Sequence, residues 1–303
     1  MIATLAAASL LATQSANYAR AIAVSPNGQT VAVGGWSQSV DFFRADGTFS
    51  TRLGPFNAHV TGLAWDRAGR CVAISVADGT VGLWDVASTK WVWRKNSGTS
   101  FASGVAVLAN GDVVSSGYDN RLKRWAGADG KAIRTFNGLP SDAYGMTASN
   151  DGRQVLGFGP DGANLWDANT GRSLGTLRMK NNFGGAAFLS NDGLIAVMGL
   201  DGKVVVTNRT LKASDTLEWN ASAIAASNAQ MLMAVGTRKG EVVYYRMDIL
   251  EAYWATESQG SEVTAVTVSR DGTRVWAAYQ DGTVRGWRGS DGKLTASMTI
   301  PTS

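Results

Sequence analysis

The chain has 303 residues, 45% of them apolar and 17% charged, which is enough for a sizeable core and excludes a disordered polypeptide. Its net charge of +4 is spread along the sequence, and no Lys/Arg run exceeds a pair such as Arg238-Lys239. The clustered basic face of a nucleic-acid binder is therefore missing, and no specific nucleic-acid partner is expected. A single cysteine, Cys71, excludes an intrachain disulfide. The 36 glycines lack a collagen-like period and point to many tight turns, hence many short strands.

In chain order, the first feature is MIATLAAASLLA, apolar and uncharged, with no Lys or Arg before Arg20. The positive n-region of a signal peptide is absent, and the segment is too short to span a bilayer. Neither a cleaved signal nor membrane insertion is expected, and a cytoplasmic location or one within an intracellular assembly is. Residues 1–17 are predicted to form an N-terminal segment that is either a closing strand or a docking helix, rich in the helix formers Ala and Leu.

From residue 18 onward the sequence repeats. A turn following an apolar run recurs at Gly28, Gly69, Gly111, Gly152, Gly193, Gln230 and Gly272, with spacings of 41, 42, 41, 41, 37 and 42 residues. A second marker, mostly aromatic, ends a later apolar run at Phe43, Trp84, Trp125, Trp166, Thr207, Tyr245 and Trp287, spaced 41, 41, 41, 41, 38 and 42. Both markers shorten together in the sixth unit, as a true repeat with one trimmed loop would do.

Each unit holds four short β-rich runs separated by Asp-Gly or Asn-Gly turns, whose residues tolerate positive φ. The last reads VTAVTVS, TRVWAAY, VRGW and KLTASMTI, so residues 293–300 can supply its outer strand and leave residues 1–17 surplus to the ring. A small sheet apolar on both faces cannot stand alone, whereas seven arranged radially bury one another. The predicted fold is all-β, a seven-bladed β-propeller of four-stranded antiparallel blades over residues 18–303.

These repeats resemble the WD-repeat family. ADGTVGLWD, ending at Trp84-Asp85, is a close match, with DGANLWD at Trp166-Asp167 and QDGTVRGW at Trp287 close behind. The family's turn aspartate between the second and third strands is matched by Asp78, Asp119, Asp161, Asp201 and Asp281. The usual Gly-His dipeptide is absent from every unit, so the family's buried Trp–Ser/Thr–His–Asp network is incomplete and the chain reads as a divergent member.

Catalytic chemistry finds little support. One histidine and one cysteine cannot build a zinc site, and His59 has no GxSxG elbow beside it. The repeated aspartates (78, 119, 151, 161, 192, 201, 271 and 281) sit at turns where Asp bonds its own backbone. No D-x-D-x-D-G calcium loop or Walker-type phosphate loop occurs. No enzyme activity, cofactor or metal is expected. The ring aromatics read as packing between blades.

Function is then expected at surfaces. Ten residues before each first-turn marker lies the position just ahead of the unit's first strand: Tyr18, His59, Phe101, Asp142, Phe183, Asn220 and Glu262. By resemblance, this position faces the top entrance of the central channel, where family members bind peptides and partner proteins. Large rings on a loop rim suit binding hot spots. The expected function is a non-enzymatic protein-interaction scaffold, with one or more proteins bound at the top face and the N-terminal segment as a second docking candidate. A structural subunit of a virion or organelle complex is the alternative, and a propeller hydrolase or small-ligand binder is the third reading.

Overall fold

The computed structural model describes residues 18–178, 182–189, 193–227 and 231–301. It contains 28 strands, numbered β1 to β28 along the chain, in seven four-stranded antiparallel sheets. Every sheet takes four consecutive strands in order, so the predicted propeller of seven blades is the observed fold. Blade one is β1 (Ala19–Val24), β2 (Thr30–Gly35), β3 (Val40–Arg44) and β4 (Phe49–Leu53). Blade seven is β25 (Val263–Val268), β26 (Arg274–Tyr279), β27 (Thr283–Arg288) and β28 (Leu294–Thr299). The first-turn markers Gly28, Gly69, Gly111, Gly152 and Gly272 all have positive φ, between 69° and 89°. Gln230 and the N-terminal segment, residues 1–17, lie outside the described residues.

The middle strands of each blade are buried on both faces, as β2, β6 (Cys71–Val76) and β18 (Leu194–Gly199) show. Their apolar side chains fall into seven clusters, and each cluster joins two adjacent blades. The second marker supplies the same element to six of them. Trp125 packs on blade two, Trp166 on blade three and Trp287 on blade six, each under 9% exposed. At Thr207 the aromatic is missing, and the hydroxyl donates to the Ile195 carbonyl of its own blade instead.

The ring closes without exchange of a strand. Because β28 completes blade seven, blades one and seven meet only through side chains and a few polar contacts. Phe43, Ile22 and Val33 of blade one pack with Trp276, Val284 and Ala296 of blade seven and with Ile300, which is 4% exposed. Arg52 forms a bidentate pair with the buried carboxylate of Asp41, at 2.6 and 3.0 Å, and donates to the Pro301 carbonyl at 2.9 Å. The chain end is thus clasped to blade one.

Among the described residues the seam is the one joint with no loop across it, so these contacts carry closure there. Ile300→Ala is expected to lower stability by about 2 kcal/mol, the low end for a buried isoleucine. Arg52→Ala is expected to cost about 1.5–3 kcal/mol by leaving Asp41 unpaired. Urea unfolding of each variant checks this, and losses within about 0.5 kcal/mol, the range of an ordinary surface change, would show that the seam does not depend on these contacts.

Candidate functional site

The innermost strands of the blades line the central channel: β1, β5 (Val60–Trp65), β9 (Ala102–Val107), β13 (Gly145–Ala148), β17 (Phe183–Leu189), β21 (Ala221–Ser227) and β25. Neighbouring innermost strands approach so closely that a Cβ on Gly62 would lie 3.2 Å from the Gly104 Cα. The equivalent residues elsewhere are Ala21, Gly145, Gly185, Ala223 and Ala265. One residue earlier, a register shift in six blades inserts an extra residue, and such a bulge re-aims its side chain. The inserted residues are Arg20, Thr61, Ser103, Gly184, Ser222 and Thr264, with Tyr144 in the same place in blade four. All seven line the upper mouth, a cavity of about 600 Å³.

A backbone clamp fixes the rim above this ring. The residue ahead of the first strand accepts, through its carbonyl, the N–H of the residue that follows the second strand. Thus Trp36 donates to Tyr18 at 3.3 Å, Ala77 to His59 at 2.9 Å and Tyr118 to Phe101 at 3.1 Å. Arg238 donates to Asn220 at 3.4 Å and Gln280 to Glu262 at 2.9 Å. Asp142 holds the same place in blade four, but its counterpart Pro160 has no N–H to give, and β13 starts later, at Gly145.

Phe183 requires a correction. It pairs with Gly199 as Ala19 pairs with Gly35, so it is the first residue of its strand. Its ring is fully buried in the cluster between blades four and five. The rim position in blade five belongs to Asn182, whose carbonyl accepts from Leu200 at 2.8 Å. Counting back from Gly193 therefore lands one residue too far along the chain.

The clamp sets side chains of the two rim positions beside each other, and in blades one to three five of these six are rings, while Tyr144 adds a ring from the bulge position of blade four. Tyr18 lies 5.9 Å from Trp36, which stacks on His59 at 4.2 Å and 19°. His59 is 5.9 Å from Phe101, which stacks on Tyr118 at 4.5 Å and 24°, and Tyr118 is 6.0 Å from Tyr144. Six rings therefore form one continuous arc along the mouth. Trp36, Tyr118 and Tyr144 are 40–43% exposed, so the arc faces solvent and is not core. Blades four to seven carry no aromatic ring at either position: Asp142 and Pro160, Asn182 and Leu200, Asn220 and Arg238, Glu262 and Gln280.

Trp36, Tyr118, Tyr144 and Arg20 were not among the residues singled out from the sequence. Trp36 and Tyr118 recur at the first residue after the second strand, with the same period as Tyr18 and Phe101, and that second position was the available signal.

The arc's electrostatics follow from its enclosure. Burial, and secondarily the Arg20 guanidinium, hold the His59 imidazole below its ordinary pKa. Its Nε2 is enclosed and has no hydrogen-bond partner among the described residues. Burial pushes the Tyr118 phenol up, helped by Tyr144 and opposed by Arg20. The turn aspartates are engaged locally: Asp78, Asp151, Asp201, Asp271 and Asp281 each accept the backbone N–H two residues on. Among the described residues, no three His, Cys, Asp or Glu side chains gather to hold a metal. None of their helices is long and apolar enough to cross a membrane.

A folded-state pKa below the ordinary 6.5 means the unfolded chain protonates His59 first. The stability tied to neutral His59 is fully present above pH 6.5 and is lost as pH falls below it toward the folded value. Thermal midpoints measured from pH 7.5 to 5.5 are expected to fall in the wild type and to flatten in His59→Gln. Parallel profiles would show that His59 is not the group responsible.

Comparisons with known proteins agree with this geometry. The family model described as WD domain, G-beta repeat, matches residues 50–85, and the anaphase-promoting complex subunit 4 WD40 domain matches residues 224–303. Telomerase protein component 1 of Mus musculus is 33% identical over 161 residues, covering 50% of this chain and 6% of that protein. The anaphase-promoting complex subunit cdc20 of Dictyostelium discoideum is 25% identical over 255 residues, covering 76% of this chain and 49% of that protein. Cell division cycle 20.1, cofactor of APC complex, of Arabidopsis thaliana is 22% identical over 259 residues, covering 80% and 57%. The chain thus spans a small part of the first relative and about half of the other two. Its repeats, its seven blades and these matches together support a WD-repeat β-propeller.

Proposed function

We propose that the chain is a non-enzymatic protein-interaction scaffold whose working surface is the aromatic arc at the upper channel mouth. The observation that carries this reading is the continuity of six rings from four blades, three of them 40–43% exposed, where no core requires them. Large rings on a rigid rim supply contact area at low entropic cost and dominate binding hot spots. The rings flank the first and second strands of their blades, so little ordering accompanies capture. Tyr18, His59 and Phe101 enter the arc from ahead of the first strands and Trp36 and Tyr118 from behind the second, while Asp142, Asn220 and Glu262 hold polar positions ahead of the first strands of blades four, six and seven.

The relatives support the class of function only. Two of them are named as a subunit or a cofactor of the anaphase-promoting complex, so each works with other proteins. An intracellular scaffold of that general kind is the reading carried over here, without its particular partners. The lone thiol adds no competing chemistry, since burial, with Asp66 and Asp85 nearby, raises the pKa of Cys71.

Affinity capture from the native source tests the reading, with Trp36→Ser/Tyr118→Ser against wild type and Tyr253→Ser as an outer-strand control, 52% exposed in the wild type. The double variant is expected to lose the captured partner while keeping its β-sheet circular dichroism, and the control is expected to retain it. Equal capture by the folded double variant would exclude the arc as the working surface.

A further inference from the structure

We propose that the segment captured at the channel mouth is acidic, placing a carboxylate on Arg20 and an adjacent apolar or aromatic side chain on the Trp36–His59–Phe101–Tyr118 rings. This rests on the reading of the arc as the binding surface and adds the chemistry of what it selects.

Among the described residues lining the mouth cavity, Arg20 is the one cation. As the bulged residue of β1 it projects into the opening, and its side chain is exposed between buried neighbours. It makes no hydrogen bond or ion pair among the described residues. It lines the same cavity as Tyr18 and Tyr144, the two ends of the arc, and its charge is felt by His59 of blade two and by Tyr118 of blade three.

That placement decides between ligand classes. Bare aromatic faces attract ammonium and guanidinium groups. Here such a group would meet the like charge of Arg20, and juxtaposed like charges exclude wrong partners. A wholly apolar segment would cover an unpaired guanidinium and forfeit its hydration. A carboxylate flanked by an apolar or aromatic residue satisfies both features, and a guanidinium can hold it in two parallel hydrogen bonds.

The acids on the rim sharpen the register. Glu262 belongs to blade seven, past the Tyr18 end of the arc, and does not pair with Arg20. Asp142 stands at the Tyr144 end, where its charge adds to the rise in the Tyr118 pKa. A partner carboxylate is disfavoured beside Glu262 and Asp142 and favoured at Arg20.

The probes are two blocked synthetic peptides with the framework Gly-Trp-Pro-X-Pro-Trp-Gly, X being Glu in one and Lys in the other. Titration calorimetry at pH 7.5 and low salt, where His59 is neutral, reads their affinities. Wild type is expected to favour the Glu peptide by about tenfold, a margin that narrows as salt is added. Arg20→Glu is expected to invert the preference and Arg20→Gln to abolish it, so one well-folded variant suffices. Trp36→Ser/Tyr118→Ser is expected to lose both peptides.

If the preference survives removal of the Arg20 charge while the ring variant still loses binding, the acidic assignment is overturned and the arc stands. Equal binding of both peptides by the ring variant and the wild type would overturn the arc itself. A wild type that prefers the Lys peptide contradicts the assignment directly, and one that binds neither contradicts both claims.

Discussion

Burial of both faces of every blade is the constraint on which the rest of this molecule depends. A four-stranded sheet with two apolar middle strands is insoluble alone, and only a neighbour on each side removes that surface from water. Seven clusters meet this demand at seven interfaces, including the one between the first and last blades. Closure is therefore the same kind of contact as every other joint, although no strand is shared across it. Phe43 occupies at the seam the role that Trp125 and Trp166 occupy elsewhere, and the Arg52 clasp on Pro301 stands in for the missing loop.

The same constraint leaves the rim free. With the blades held by their inner faces, the turns at the upper mouth contribute little to the core, and their side chains can be chosen for contact with something else. The clamp between the residue before the first strand and the residue after the second holds the backbone at six of these sites, in blades one, two, three, five, six and seven. Side chains there are presented on fixed backbone, which suits a recognition surface. The arc's rings come from blades one to four, so the seven-fold scaffold carries an asymmetric surface, and Arg20 lines the same mouth.

The fold was legible in the sequence because two markers with one period are enough to define a propeller. The packing role of the ring aromatics followed for the same reason. The rim was half legible. Counting from the turns found Tyr18, His59 and Phe101, yet the turn after the second strand was read only for its aspartates, and Trp36 and Tyr118 were passed over. Tyr144 and Arg20 depend on a bulge, a feature of strand pairing that no local pattern announces. Phe183 illustrates the opposite error, since a one-residue slip in register carries a side chain from the surface to the core.

Hydroxyl-radical footprinting of the partner-bound and free protein tests most directly whether the arc is a single recognition surface. Trp36, Tyr118 and Tyr144 are exposed in the free protein and open to labelling, as is Tyr253 on the outer strand of blade six. Joint protection of Trp36, Tyr118 and Tyr144 on binding, with Tyr253 unchanged, is the predicted result. Protection of Tyr253 while the three arc residues label as in the free protein would contradict the account.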